Sequence, residues 1–171
     1  YTGEDGVELF VPKSKAQQIW KIFVEDGAKP CGLGSRDLLR LEAGLLLHGN
    51  DMDLTINPFE AGLDRFVYCD KDDYLAGPAL REIRSKGPIK KLLGLYINGN
   101  RVARSGYPLM HENIQVGIIT SGTYSPTLDR NIALGYVQTD LIDNHKGLKC
   151  DIRGRLTDVE VTTLPFYSRR T

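Results

Sequence analysis

The chain has 171 residues, enough for one substantial core or two small ones, and its 41% hydrophobic and 26% charged content excludes a disordered tail or a fibre. Lys plus Arg and Asp plus Glu number 22 each. That zero net charge leaves no global field to recruit nucleic acid or an acidic membrane surface, so any anionic ligand must be held by local charges. No apolar run is long enough to span a bilayer, and the first residues lack the basic-then-apolar plan of a signal peptide. Cys31, Cys69 and Cys150 are odd in number, far apart and without CxxC or Cys/His metal spacing. They read as reduced, buried packing thiols in a cytoplasmic protein.

In chain order, "YTGEDG" is a tight acidic glycine turn. Val7, Leu9 and Val11 then alternate with Glu8 and Phe10, the period of a short half-buried strand stopped by Pro12. Ser14 offers an N-cap to a helix with Ala16, Ile19, Trp20 and Phe23 at helical spacing, closed by Gly27. After the sharp connection "PCGLGSRD", Ser35 can cap a second helix carrying Leu38, Leu39, Leu41, Ala43, Leu45 and Leu46, which fades near Gly44 or Gly49. "HGNDMDLTINPFEAGL" reads as a structured loop, "DRFVYCD" as another strand, and "GPALREIRSKG" as a short helix with Pro in its first turn and Gly at its end.

From Lys90 onward the pattern changes. "KKLLGLYING", "QVGIITSG", "IALGYVQTD", "LKCDIRGR" and "DVEVTTLPF" are apolar or alternating segments. They are separated by turn signals at Asn98-Gly99, Ser121-Gly122 and Ser125-Pro126, with no helical period between them. Short strands with tight turns predict an antiparallel barrel or sandwich. The expected class is α+β, with a mixed strand and helix segment over 1–87 followed by an all-β domain over 88–171.

Two side chains carry candidate chemistry. Glu8 has a bland reading, a solvent-facing strand residue, which pattern alone favours. Its sharper reading is a ligand clamp, because a carboxylate accepts two parallel hydrogen bonds from an N–H/NH2 edge such as a pterin or guanine presents, with Phe10 as an apolar wall. Arg36, read as lying in the first turn of its helix, meets the positive end of the helix dipole, and Arg40 adds like charge one turn on. Either Asp37 neutralises it locally, or pairs with Arg40 at i, i+3, or Arg36 faces a bound polar or anionic group.

Other motifs fail. "GLGSRD" begins like a dinucleotide fingerprint, but Asp37 stands at the third glycine position and no strand leads into it. His48, His111 and His145 sit in separate polar segments without ligand spacing, so no metal site is expected. No nucleophile elbow or Cys/His pair in a family context is present. Asp51 and Asp53 in "GNDMD" can bind a cation but more often cap a turn.

"YTGEDGVE", "GLGSRDLLRLEAGLLLHGNDMD", "NPFEAGL", "GIITSGTYSPTL", "IALGYV" and "LPFY" occur here in an order and spacing that resembles the aminomethyltransferase of the glycine cleavage system, the T-protein family. The match covers nearly the whole chain and corresponds to the later half or so of that family. The resemblance implies a three-domain enzyme with an N-terminal β-containing domain, a ferredoxin-like domain and a C-terminal β-barrel, binding tetrahydrofolate at the centre. It implies transfer of an aminomethyl group from the lipoyl arm of the H-protein, release of ammonia and formation of 5,10-methylenetetrahydrofolate. The location implied is the cytoplasm, or the mitochondrial matrix in a eukaryote.

By motif, Glu8 becomes the residue holding the pterin edge, Arg36 a second folate contact and Tyr1 a lining residue. Arg169 or Arg170 corresponds to a contact that some members make near the C-terminus. Leu45 stands where some members carry an aromatic side chain. The family's catalytic aspartate belongs to the earlier half, so no catalytic residue is assigned here, and the absent N-terminal half is itself an expected partner. The resemblance extends to related folate-binding proteins: an iron–sulfur-cluster assembly factor, whose Lys-Gly-Cys-Tyr-x-Gly-Gln-Glu signature is absent, the folate half of a sarcosine or dimethylglycine dehydrogenase, and a sulfonium demethylase.

Overall fold

The alternating segments after Lys90 close on themselves. The computed structural model describes residues 1–71, 74–141 and 146–169, and in it six strands form a closed antiparallel barrel in the order β1-β4-β3-β2-β5-β6. They are β1 (Lys90–Ile97), β2 (Pro108–His111), β3 (Ile114–Ser125), β4 (Arg130–Gln138), β5 (Lys149–Asp151) and β6 (Leu156–Thr162). Before them come the helices α1 (Lys13–Glu25), α2 (Leu33–Glu42) and α3 (Gly77–Lys86), and a 3-10 turn at Asp64–Phe66. The α+β class and the antiparallel barrel are as expected. Among the described residues no helix is long and apolar enough to cross a membrane.

The period of two on β1 and β4 sorts their side chains into two cores. Leu95 and Ile97 of β1 with Ala133 and Val137 of β4 join Leu109, Val116, Ile119, Leu148, Cys150 and Ile152 inside the barrel. The intervening residues Leu92, Ile132, Leu134 and Tyr136 face outward and pack with Leu41 of α2 and Phe166 of the C-terminal segment. β4 is therefore buried on both faces over Asn131–Val137. Its glycine is needed for contact as well as for the pleat: a Cβ at Gly135 would lie 2.9 Å from the Ile118 carbonyl oxygen and 3.1 Å from Leu109 Cδ1.

Helix α2 lies on the barrel's outer wall and ends in a Schellman motif. The Leu45 N–H bonds the Arg40 carbonyl at 2.8 Å and the Gly44 N–H bonds that of Leu41 at 2.9 Å, with Gly44 at φ 67°. Its last residue, Glu42, accepts from Ser125 Oγ at 2.5 Å and from Thr127 Oγ1 at 3.3 Å, while its carbonyl accepts from the Tyr167 N–H at 2.9 Å. One helix end is thus tied to the end of β3 and to the C-terminal segment.

Several local expectations are corrected. Residues 7–11 form no strand, because among the described residues no strand pairs with them and the alternating side chains are left in solvent: Val7 is 84% and Phe10 95% exposed. "DRFVYCD" gives the 3-10 turn and bends instead of a strand. Helix α1 starts at Lys13 with Pro12 as its N-cap, so Ser14 lies inside it. Ser35 is likewise inside α2, whose N-cap is Gly32, and its hydroxyl donates back to the Gly32 carbonyl at 2.8 Å.

Ser121-Gly122 is within β3 and not a turn. Strand β2, absent from the sequence reading, pairs with β3 through a two-residue turn in which Glu112 and Asn113 both adopt positive φ, 49° and 64°. Helix α3 carries its Pro in the first turn and Gly87 at its end, as expected. Cys69 and Cys150 are buried, and burial pushes the Cys150 thiol up to about 12, whereas Cys31 is exposed, its Sγ 3.5 Å from the Lys29 carbonyl. His145 and Arg170 lie outside the described residues.

Candidate functional site

The turn at 1–6 is seated against the end of α2. Gly3 takes φ 75° there, and a Cβ on it would meet Ala43 Cβ at 2.6 Å, so the close approach requires glycine. That seating places the Tyr1 hydroxyl to donate to the Leu46 carbonyl at 2.8 Å. Partial burial of the ring raises the phenol above its ordinary value, the nearby Arg40 charge opposing this, so at neutral pH the hydroxyl is protonated and available as the donor.

Three of the four predicted ligand residues come together. The Arg36 guanidinium carbon sits 5.1 Å from the centroid of the Tyr1 ring, and its Nη2 is 3.7 Å from Glu8 Oε1. Both side chains of that pair are half or more exposed, so the attraction is screened and contributes little to stability. Because α2 begins at Leu33, Arg36 is its fourth residue and not in the exposed first position, which relieves the dipole conflict expected from a helix starting at Ser35. The guanidinium therefore has a carboxylate and an aromatic face as neighbours, with open solvent beyond.

Arg169 does not join this group. It pairs with Asp5 at 2.6 Å and Glu4 at 3.7 Å, fastening the C-terminal segment to the same turn that begins with Tyr1. It borders a hollow of about 580 Å³ with Gly3, Asp5, Ala43, Pro165 and Tyr167. Leu45 lies just past the end of α2 and not on it. A second cleft, of about 570 Å³ between the 50–56 loop and strands β3 and β4, is lined by none of the four residues.

Sequence reasoning passed over the charged pair beneath the site. Arg40 and Asp51 are both buried, and Arg40 Nη1 donates to Asp51 Oδ2 at 2.6 Å. Arg40 also bonds Asp37 at 2.8 Å, the i, i+3 pairing foreseen, and Ser121 Oγ at 2.8 Å. Asp51 further accepts from the Leu47 N–H at 2.9 Å and from Thr120 Oγ1 at 2.5 Å, and its carbonyl accepts from the Tyr136 hydroxyl at 2.7 Å. Asp51 is thus neither a cation ligand nor a simple turn cap. Asp53 does shape a turn, accepting from the Thr55 N–H at 2.7 Å.

Thr120 and Ser121 can both reach the pair because the ladder slips between Ile119 and Ser121. Ile119 opposes Gly135 and Ser121 opposes Leu134, leaving Thr120 as an extra residue in a β-bulge. In a regular strand, neighbours point to opposite faces. The only sequence signal for this arrangement was the polar pair Thr120-Ser121 inside an otherwise apolar run.

The barrel matches the glycine cleavage T-protein C-terminal barrel domain over residues 90–168, and the segment before it matches the GCVT N-terminal domain over residues 1–71. The fold and helix placement therefore define a chain of the T-protein barrel class. Aminomethyltransferases of Parasynechococcus marenigrum (strain WH8102) and Prochlorococcus marinus (strain MIT 9313) are each 45% identical to it over 170 residues, 99% of this chain and 46% of theirs. The crystal structure of the glycine cleavage system aminomethyltransferase T from Bartonella henselae superposes with a TM-score of 0.92 at 32% identity, over 99% of this chain and 48% of that one. The chain belongs to the glycine cleavage T-protein family and spans about half the length of the curated relatives it matches.

Proposed function

We propose that these residues form one wall of a tetrahydrofolate site in an aminomethyltransferase. The observation that carries this is the convergence of Tyr1, Glu8 and Arg36 on one surface, with Arg36 3.7 Å from the Glu8 carboxylate and stacked over Tyr1. The donor set suits a pterin. An ionised carboxylate accepts the paired N–H and NH2 hydrogens of the pterin edge, a guanidinium donates to carbonyl oxygen or carboxylate, and a tyrosine ring gives an apolar wall. Arg169, held by the C-terminal segment against the turn that begins with Tyr1, supplies a second cation for an anionic end of the same ligand.

Bound tetrahydrofolate would supply the nucleophilic nitrogens that accept the one-carbon unit. Glu8 orients the pterin, and Arg36 aligns the Glu8 carboxylate through their ion pair. The donor in the proposed reaction is the aminomethyl group on the lipoyl arm of the H-protein, and its products are ammonia and 5,10-methylenetetrahydrofolate. No aspartate of this chain occupies the family's catalytic motif, so binding, and not turnover, is the activity assigned to these 171 residues alone.

Calorimetric titration with tetrahydrofolate tests the reading. Saturable binding is expected, with Glu8→Gln weakening it by about tenfold or more through loss of a charge-assisted pair of hydrogen bonds. Equal affinity for the wild-type chain and Glu8→Gln would remove Glu8 from the site. Ammonia release from aminomethylated H-protein by this chain alone would show that it carries its own catalytic group.

A further inference from the structure

We infer that the buried Arg40–Asp51 pair is a positioning device for Tyr1, clamped from below by the β3 bulge and by Tyr136 of β4. The inference rests on the folate reading only for its binding readout. Its structural basis is a continuous chain of hydrogen bonds. Tyr1 is held by the Leu46 carbonyl, and the residues flanking Leu46 are each held by the pair: Arg40 Nη1 approaches the Leu45 carbonyl at 3.4 Å, and Asp51 Oδ2 accepts the Leu47 N–H at 2.9 Å. The backbone that presents the acceptor for Tyr1 is therefore gripped on both sides.

The grip is itself anchored in the barrel. Thr120 donates to Asp51 Oδ1, Ser121 accepts from Arg40 Nη2, and the Tyr136 hydroxyl donates to the Asp51 carbonyl. The bulge makes the first two contacts simultaneous, which a regular strand would forbid. Arg40 lies one helical turn beyond Arg36 on α2, so the same guanidinium fixes the helix that carries the ion-pair partner of Glu8. A buried ion pair is a poor source of net stability, because desolvation cancels most of its attraction. Its value here is geometric: each charge is saturated by directional bonds that admit one arrangement of residues 45–47. Neither Arg40 nor Asp51 needs to touch a ligand to act this way.

The test uses the full chain labelled with 3-fluorotyrosine, the Tyr1 resonance being assigned by its loss in Tyr1→Phe. Asp51→Asn keeps the shape of the side chain and removes the charge. Tyr136→Phe keeps the ring in the core and deletes one hydrogen bond, so it serves if Asp51→Asn does not fold. In folded variants the Tyr1 fluorine signal is expected to shift or broaden toward the free amino acid. Tetrahydrofolate affinity is expected to fall about tenfold for Asp51→Asn and about threefold for Tyr136→Phe. An unmoved Tyr1 signal in a folded variant overturns the positioning role. If the wild-type chain binds no tetrahydrofolate, the folate reading fails, while the fluorine signal still decides whether the pair positions Tyr1.

Discussion

The barrel and helix α1 follow the same sequence rule with opposite outcomes. On β4 every apolar side chain finds a neighbour, inside the barrel or against α2. On α1, Trp20, Ile22, Phe23 and Val24 are all exposed and no residue of the helix is buried among the described residues. Periodicity tells which side chains share a face, and it does not tell whether a partner for that face is in the same chain.

The contrast can be pressed by substitution, starting where the largest loss is expected. Arg40→Met strands the Asp51 carboxylate in the interior and is expected to cost about 3–5 kcal/mol, read by urea or thermal unfolding. Leu95→Ala empties a fully buried position in the barrel, with about 2–5 kcal/mol expected by the same measurement. Gly44→Ala puts a Cβ on a left-handed residue and against Leu164, for an expected loss of about 1–2 kcal/mol. At the other end, Trp20→Ser on α1 should change stability by no more than about 0.5 kcal/mol. A loss of several kcal/mol from Trp20→Ser would show that α1 is packed in solution and would erase the contrast.

Much of this was legible in advance. The barrel strands declare themselves because alternation and turn residues are local signals, and Tyr1, Glu8 and Arg36 fall in motifs near the first two helices. What escaped depends on distant or unusual partners. Strand β2 has four residues, starts on Pro108 and turns at Glu112-Asn113, a pair without the Gly that usually marks such a turn. The Val7–Val11 alternation has the right period, but a strand exists only when paired. Helical spacing reveals Asp37 beside Arg40, whereas Asp51 is 11 residues from Arg40 and Thr120 is 69 from Asp51. A bulge has no one-residue signature, so the sequence shows Ser121-Gly122 as a turn where the chain runs on through the sheet.

The two-sided burial of β4 has a consequence for how the strand finds its register. On most half-exposed strands a slip of one residue is punished because polar groups would enter the core. On β4 both faces are apolar over residues 132–137, so polarity gives no such warning there. Size does it instead: the inward set is Ala133, Gly135 and Val137, the outward set Ile132, Leu134 and Tyr136. A slip would drive the bulky set into a space sized for Ala133, Gly135 and Val137. It would also pull the Tyr136 hydroxyl away from Asp51, so correct threading of the barrel and correct placement of Tyr1 are checked by the same side chain.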